Sequence, residues 1–217
     1  VFLQKTTHGH GTPVVRVFIG RDVLMLVDGI RLNNSTYRSG PVQYLNTVDP
    51  AGVDRVELVR GPGSVLYGSD ALGGALNVRT SSAYPSAPLS VRLASHAQSA
   101  DGGLTSRVEM AGSGGNLGYR IGGGLKSFGD LRAGGSYGIE SPTGYREGGG
   151  DAAMRWQLDP SQALSAVYQG VGQSQVPRYH HYQGAVRVYG TPTFQRFTYD
   201  QTRHLGILRY EGQSWGG

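Results

Sequence analysis

Between Val59 and Gly74 the sequence reads VRGPGSVLYGSDALGG, a glycine-rich turn that joins two strand-like segments. RVEL (Arg55–Leu58) precedes this turn, and ALNVRT (Ala75–Thr80) follows it. Glycine-rich turns after strands often cradle phosphate, but a P-loop also needs a Gly-Lys-Ser/Thr sequence. No such sequence is present, and no lysine occurs between Lys5 and Lys126. The glycines of this turn therefore serve something other than a nucleotide.

The composition excludes several classes of protein. The chain has 217 residues and 36 glycines, far above average usage, which disfavours helices because glycine costs roughly 1 kcal/mol per helical position. The net charge of +5 is spread along the chain without a lysine or arginine run, so no nucleic-acid partner is expected. The absence of cysteine excludes disulfides and thiolate metal sites. No apolar run approaches the ~18 residues of a membrane-spanning helix.

Residues 1–80 read as a compact mixed domain. The apolar run DVLMLVDGI (Asp22–Ile30) predicts a buried strand and a turn, and VDRVELVR (Val53–Arg60) and GGALNVRT (Gly73–Thr80) predict two further strands. A short helix is expected near Val42–Thr47. No helix is long enough for a Rossmann crossover. Residues 81–88, SSAYPSAP, read as a linker because serine and proline interrupt both periods.

After Pro88 the sequence alternates between apolar and polar residues with the period of a β-strand. In TSRVEM, Val108 and Met110 oppose Arg107 and Glu109, and YRIGGGLK and MRWQLD alternate in the same way. Tight turns at Gly112–Asn116 and Asp159–Gln162 separate long loops at 128–148 and 174–199. Short turns on one side and long loops on the other are typical of transmembrane β-barrels. A soluble sandwich also alternates, so that reading stays open.

Three segments closely resemble the plug domain of TonB-dependent outer-membrane receptors: TPVVRVFIGRDV, VLMLVDGIRLNN and DRVELVRGPGSVLYGSDALGGALNVRT. The resemblance is dense over residues 9–80, and residues 89–217 are similar in pattern to the first strands of the family's barrel. It implies an α+β plug with a small mixed sheet, followed by antiparallel strands of an incomplete transmembrane β-barrel. The implied division is the C-terminal part of the plug (1–80), a linker (81–88) and the first barrel strands (89–217). Both ends of the protein are expected to lie outside this chain.

The resemblance also assigns roles to residues. The plug glycines permit tight turns and close backbone approach, so the turn is a packing device. Arg16 and Arg60 match two plug arginines that pair with glutamates on the barrel wall and form a latch; those glutamates are expected beyond Gly217. Val17 stands where the family usually has glycine, so a less tight turn is expected there. The turn residues are Gly61, Pro62, Gly63, Gly68, Gly73 and Gly74, and the candidate ligand-contacting residues are Asn34, Tyr37, Arg38, Gln43 and Tyr44.

The implied function is active import across a Gram-negative outer membrane. The ligand would be scarce, of the iron–siderophore, haem or cobalamin type, and TonB would supply the energy. The coupling box that binds TonB lies upstream of the plug and is not in this chain. The expected partners are therefore the TonB complex, the ligand and outer-membrane lipid. No catalysis, resident cofactor or metal is expected.

Three other readings compete with this one. Histidines could bind haem or a metal, since His8 and His10 are spaced for one face of a strand and His180 and His181 are adjacent, but ordinary polar loop histidines are the favoured interpretation. GQSWG (Gly212–Gly216) fits the Gly-x-Ser-x-Gly of an esterase, but no helix, acid or histidine follows it in the chain. A soluble β-rich binding module is the main alternative. The apolar strand face separates this reading from a barrel, because in a barrel it meets lipid rather than a second sheet. The diagnostic residues are Val91, Val108, Ile121, Trp156 and Leu164.

Overall fold

The computed structural model describes residues 2–5, 8–32, 44–68, 70–135, 138–178 and 198–212. The chain forms two compact units. The first comprises Val1–Ser81 with Ser141–Thr143 and Val176–Tyr199, and the second comprises Ser82–Glu140, Gly144–Gln175 and Asp200–Gly217.

The first unit is built on a small mixed sheet. Its strands are β1 (Phe2–Gln4), β2 (Thr12–Val14), β3 (Val23–Val27), β4 (Ile30–Arg31), β5 (Val53–Arg60) and β6 (Gly74–Thr80). Strands β1 and β2 pair with each other, and the others form a four-stranded sheet in the order β4-β3-β6-β5. Strand β3 runs parallel to β6, while β4 and β5 are antiparallel to their neighbours. All five residues of β3 are buried, as its unbroken apolar sequence predicts.

The helices of the first unit are short. The single α-helix of its described part, α1 (Ser64–Tyr67), lies inside the glycine-rich turn, where only a turn is predicted. The helix expected near Val42–Thr47 is a 3₁₀ helix at Tyr44–Thr47. A further 3₁₀ helix at Pro50–Gly52 is capped by Asp49, whose side chain accepts a hydrogen bond from the Ala51 backbone N–H (3.2 Å). Within the described ranges, no helix is long and apolar enough to cross a membrane.

The second unit carries a sheet of long antiparallel strands. In chain order the strands are β7 (Ser90–Gln98), β8 (Gly103–Gly114), β9 (Leu117–Phe128), β10 (Leu131–Arg132), β11 (Ile139–Glu140), β12 (Tyr145–Asp159), β13 (Gln162–Pro177) and β14 (Thr198–Gly212). Six of them form one sheet in the order β14-β13-β12-β9-β8-β7, and β10 and β11 form a separate hairpin. The six-stranded sheet is open, with β7 and β14 at its edges.

The connections alternate in length as the sequence predicts. Residues 115–116 and 160–161 join strands at one end of the sheet, whereas 99–102, 129–144 and 178–197 join them at the other. The tight turns are shorter than expected, because β8 continues to Gly114 and β12 to Asp159. The loop expected at 128–148 is also shorter, because β12 begins at Tyr145.

The two faces of the six-stranded sheet differ sharply. Apolar side chains on one face, hereafter the apolar face, are exposed to solvent: Val91 is 64%, Val108 50%, Ile121 53% and Trp156 49% exposed. Leu164 lies on the same face, paired with Trp156, and is half-buried. The opposite face, hereafter the polar face, carries charged and amide side chains, several of them buried: Arg107, Arg120, Glu147, Gln169 and Gln173.

Nearly all of the predicted linker, residues 82–88, belongs to the second unit and is anchored to its strands. Ala83 is buried, and the Ser113 hydroxyl on β8 donates a hydrogen bond to the Ala87 carbonyl (2.7 Å). The Tyr84 backbone lies over Gly118, where a Cβ would approach the Tyr84 carbonyl carbon to 2.2 Å. This connection therefore packs against β8 and β9 of the second unit.

Candidate functional site

Arg16 lies at the tip of a two-residue hairpin. The backbones of Val15 and Phe18 exchange two hydrogen bonds of 3.0 Å each, and both central residues have positive φ (Arg16 49°, Val17 66°). This is the geometry of a type I′ turn, which strongly prefers glycine at its second position. The less tight turn expected from Val17 is therefore wrong: the turn closes fully, and Val17, 91% exposed, takes the left-handed conformation instead.

Arg60 ends β5, where it is paired with Gly74 on β6. Both Arg16 and Arg60 are exposed, and neither forms an ion pair with a described residue. The two are close in space. The Arg16 guanidinium (Nη1) lies 3.9 Å from the position that a Cβ on Gly61, the residue after Arg60, would occupy. One end of the small sheet therefore presents two cations that pair with none of the described carboxylates.

The glycine-rich turn folds back on itself through its backbone. Gly61 N–H bonds to the Gly73 carbonyl (3.3 Å), Gly63 N–H to the Ala71 carbonyl (2.8 Å), and Gly73 N–H to the Asp22 carbonyl (2.8 Å). Gly74 has φ +145°, and a Cβ there would lie 2.3 Å from the Val59 carbonyl oxygen, so only glycine fits. Gly61 and Gly68 also have positive φ, and Pro62 separates Gly61 from Gly63.

Arg31 fastens this turn to the neighbouring strand. Its guanidinium pairs with Asp70 (Nη1–Oδ2 2.5 Å) and donates to the Tyr67 carbonyl (Nη2–O 3.3 Å). Asp28 makes a second clamp, because its carboxylate accepts hydrogen bonds from the Thr80 N–H (2.8 Å) and hydroxyl (2.6 Å). Sequence reasoning assigned no role to either residue, since each partner lies 39 or 52 positions away.

The candidate ligand loop is mostly outside the described residues, and this applies to Asn34, Tyr37, Arg38 and Gln43. Tyr44 begins a 3₁₀ helix, but its side chain also lies outside the described part. That helix is tied to the N-terminal segment, since the Asn46 side-chain amide donates to the Gly9 carbonyl (2.5 Å).

Glu57 on β5 lies at the centre of an exposed charge cluster. Its carboxylate accepts a hydrogen bond from the Asn77 amide (2.8 Å) and another from Arg55 (3.0 Å), and Arg79 lies 3.8 Å away. Loss of hydration beside its neighbours acts to raise the Glu57 pKa, but these hydrogen bonds and the two positive charges outweigh it and hold the pKa below its usual value. Glu57 is therefore an anion held in place on the small sheet.

The polar face of the second unit contains a buried four-residue ion network. Arg107 lies between Asp151 (2.7 Å) and Glu109 (3.0 Å), and Arg120 contacts the same two carboxylates at 2.5 Å and 3.1 Å. The two arginine side chains are only 5% and 3% exposed. Gly122 stands between Glu109 and Asp151 in the register, and a Cβ there would lie 2.3 Å from Arg107 Nη2. Glycine at 122 therefore makes room for the guanidinium.

A second polar group lies nearer the end with the long connections. Lys126 pairs with Glu147 (2.6 Å), and the Gln173 side chain donates to the other carboxylate oxygen (2.8 Å). The alternating pattern predicts Arg107, Glu109, Arg120 and Lys126 on one face. The pattern does not identify their partners Asp151 and Glu147, because only the register between strands shows which residues lie opposite each other.

The described ranges contain no group of three histidine, cysteine or acidic residues that could hold a metal ion. His10 is buried, and its ring contacts that of Tyr199 in a tilted arrangement, with 4.3 Å between the ring centroids. The adjacent histidines His180 and His181 lie outside the described residues.

These features define a class of proteins: a small mixed-sheet domain, closed by a glycine-rich turn, continues into long antiparallel strands with one polar and one exposed apolar face. Comparisons with known proteins agree with this class. The family model of the TonB-dependent receptor plug domain matches residues 2–75. Residues 2–75 are therefore a plug domain of this family.

The individual relatives cover both units. The chain is 32% identical to the vitamin B12 transporter BtuB of Vibrio vulnificus in an alignment of 167 positions, which covers 70% of this chain and 27% of the transporter. It is 33% identical to a hemin receptor of Yersinia pestis in an alignment of 159 positions, which covers 70% of this chain and 22% of the receptor. The FrpB iron transporter from Neisseria meningitidis has the same fold (TM-score 0.73, 16% identity), with 90% of this chain and 31% of that one covered. The chain thus spans about a quarter of the length of these curated relatives.

Proposed function

We propose that this chain is the plug and the first barrel strands of an outer-membrane receptor that binds a scarce ligand and imports it with energy from TonB. The observation that carries the proposal is the combination of the plug domain with a sheet whose apolar face is exposed. A soluble module would bury such a face against a second sheet. The proposed division is a plug over 1–80, a linker over 81–88 and barrel strands over 89–217.

The ligand is proposed to be an iron–siderophore complex, haem or cobalamin. The names of the relatives support this range, since they include a vitamin B12 transporter, a hemin receptor and siderophore receptors. These relatives are transport receptors, and we propose that this protein likewise carries out no catalysis. Asn34, Tyr37, Arg38, Gln43 and Tyr44 are proposed to contact the ligand.

Arg16 and Arg60 are proposed to latch the plug to the barrel. Both are exposed cations at one end of the small sheet, and a planar guanidinium suits a two-pronged pair with a carboxylate. Glutamates of the receptor outside this chain would supply the partners. Charge pairs fix orientation without an extensive apolar interface, which suits a domain that must move during transport.

The test is uptake by the intact receptor. The full-length gene is expressed in a strain that lacks its own receptors, and cells are given labelled ferric siderophores, haem and cobalamin in turn. One of the three should accumulate, and accumulation should stop when TonB is deleted or the proton gradient is collapsed. Uptake of none of them, or uptake that is independent of TonB, would contradict the proposal.

A further inference from the structure

A groove lies on the apolar face of the second unit, at the end that carries the long connections. It has a volume of about 580 Å³ and is formed by β8, β9, β12 and β13. Leu104 and Leu125 wall it on one side and are 52% and 74% exposed. Its floor is backbone, because Gly148 and Gly172 stand opposite each other there. The groove is therefore open, apolar and directed away from the polar face.

A row with three polar side chains closes the outer end of this groove. Leu104, Ser127, Arg146 and Ser174 occupy one row across the four strands. Arg146 is exposed, and no described carboxylate pairs with it; the neighbouring Glu147 points to the other face and pairs with Lys126. A cation that pairs with no described carboxylate thus stands at the mouth of an apolar groove, on a face whose other large side chains are mostly aliphatic or aromatic.

The position of Arg146 along the membrane normal decides whether its charge can be tolerated on the lipid side. Arginine on the lipid side of a barrel is strongly destabilising at the membrane midplane but costs little at the membrane interface. Long connections mark the outer side of such barrels, so Arg146 stands at the level of the outer headgroups. From Arg146 inward to Ala152, β12 covers about 20 Å and carries only glycine and alanine on this face. A single acyl chain can lie along that path.

We propose that this groove binds one phosphorylated, acylated lipid of the outer leaflet. Arg146 pairs with the lipid phosphate, Ser127 and Ser174 flank the headgroup, and an acyl chain lies over Gly148 and Gly172 between the leucine wall and β13. The charges are complementary, because an exposed guanidinium meets an anionic headgroup. The proposal rests on the outer-membrane location proposed above, but it concerns a different surface from the one that handles the imported ligand.

The test uses the intact receptor, purified and stripped of lipid, then titrated with lipid A that carries its phosphates and followed by native mass spectrometry. Gly172→Leu fills the groove without an internal clash, since the nearest atom to the new Cβ is Thr202 Oγ1 at 4.0 Å. Arg146→Gln removes the charge. Each variant should weaken lipid binding about tenfold. The matched controls are Gly206→Leu, on the same face with no atom within 4 Å, and Arg92→Gln, an exposed arginine on the polar face; both should bind as the wild type does.

Three results would overturn the proposal: unchanged binding in both groove variants, equal binding of dephosphorylated lipid A to the wild type, or displacement of lipid A by inorganic phosphate. The last would mean a free-anion site. Ligand uptake should stay normal in all four variants. If the wild-type receptor itself imports no ligand, that result counts against the import function and not against the lipid site. If Gly172→Leu does not reach the membrane, Arg146→Gln alone decides.

Discussion

At the scale of single residues, Val17 occupies a turn position whose left-handed backbone conformation disfavours a β-branched side chain. A β-branched residue with φ 66° is an outlier, and the left-handed conformation costs roughly 1–2 kcal/mol. The hairpin nevertheless closes, because Val15 and Phe18 exchange both backbone hydrogen bonds. Neighbouring structure therefore holds Val17 in a strained conformation.

Replacing Val17 by glycine should stabilise this hairpin. The strain is relieved, little packing is lost from a side chain that is 91% exposed, and the greater freedom of unfolded glycine offsets part of the gain. A net stabilisation of about 1 kcal/mol is expected, measured as roughly fivefold slower amide hydrogen exchange at Val15 and Phe18 in the intact receptor. Val17→Ala keeps the strain and serves as control. Equal exchange in wild type and Val17→Gly would contradict this account.

Arg60 carries the second prediction at this scale. If it meets a barrel carboxylate, Arg60→Ala leaves a partly buried charge unpaired, at a cost of roughly 3–5 kcal/mol, against about 0–1 kcal/mol for an exposed pair. Uptake should fall and sensitivity to small antibiotics should rise, while receptor abundance stays near normal because the barrel's own hydrogen bonds are untouched. Arg60→Lys should restore only part of the lost uptake and antibiotic resistance, because an ammonium group lacks the planar, two-pronged geometry of a guanidinium.

Uptake and antibiotic sensitivity are measured together and normalised to receptor abundance. Arg55→Ala on the same strand is the matched control, since Arg55 is exposed and pairs locally with Asp54 and Glu57. Wild-type behaviour of Arg60→Ala in both assays would make Arg60 an ordinary surface arginine.

At the scale of secondary-structure elements, the ion network joins three strands that are separate in sequence. Arg107 and Glu109 lie on β8, Arg120 on β9 and Asp151 on β12. Two cations and two anions balance only when all three strands are in register, and a shift of one residue would turn every side chain to the other face. The network therefore favours the observed register.

Asp151→Ala should destabilise the intact receptor by about 3–5 kcal/mol, because two buried guanidinium groups are left with a single carboxylate. The double variant Asp151→Ala/Arg120→Ala restores the balance and should lose less than the sum of the two single variants. Urea denaturation of the purified receptor measures both. Strict additivity would show that the four charges do not act together.

Sequence reasoning worked best where local pattern is decisive. The buried run at β3, the alternation from β7 to β13 and the alternating connections all follow from short-range periodicity. It failed where long-range register or neighbouring strain decides: the partners Asp151 and Glu147, the clamps of Arg31 and Asp28, and the closed hairpin at Val17. The helix α1 was missed because four residues between glycines carry no helical period.

At the scale of the whole molecule, the exposed apolar face is the feature that most needs a surrounding medium. Leu93, Leu125 and Leu208 are 74–80% exposed on it, and monomeric soluble proteins rarely leave so continuous an apolar patch in water. A hydrocarbon environment stabilises such a face, while the polar face retains its ion pairs. Its location in the outer membrane follows from the same asymmetry and from the family of the plug.

Cysteine labelling along β12 of a cysteine-free intact receptor in outer membranes tests this account most directly. Single cysteines replace Ala152, Met154 and Trp156 on the apolar face, and Ala153, Arg155 and Gln157 on the polar face. The account predicts strict alternation. A lipid-soluble maleimide labels the first set, whereas a membrane-impermeant maleimide labels the second set and not the first. Equal reaction of both sets with the impermeant reagent would mean that the sheet lies in water, and the receptor assignment of these strands would be wrong.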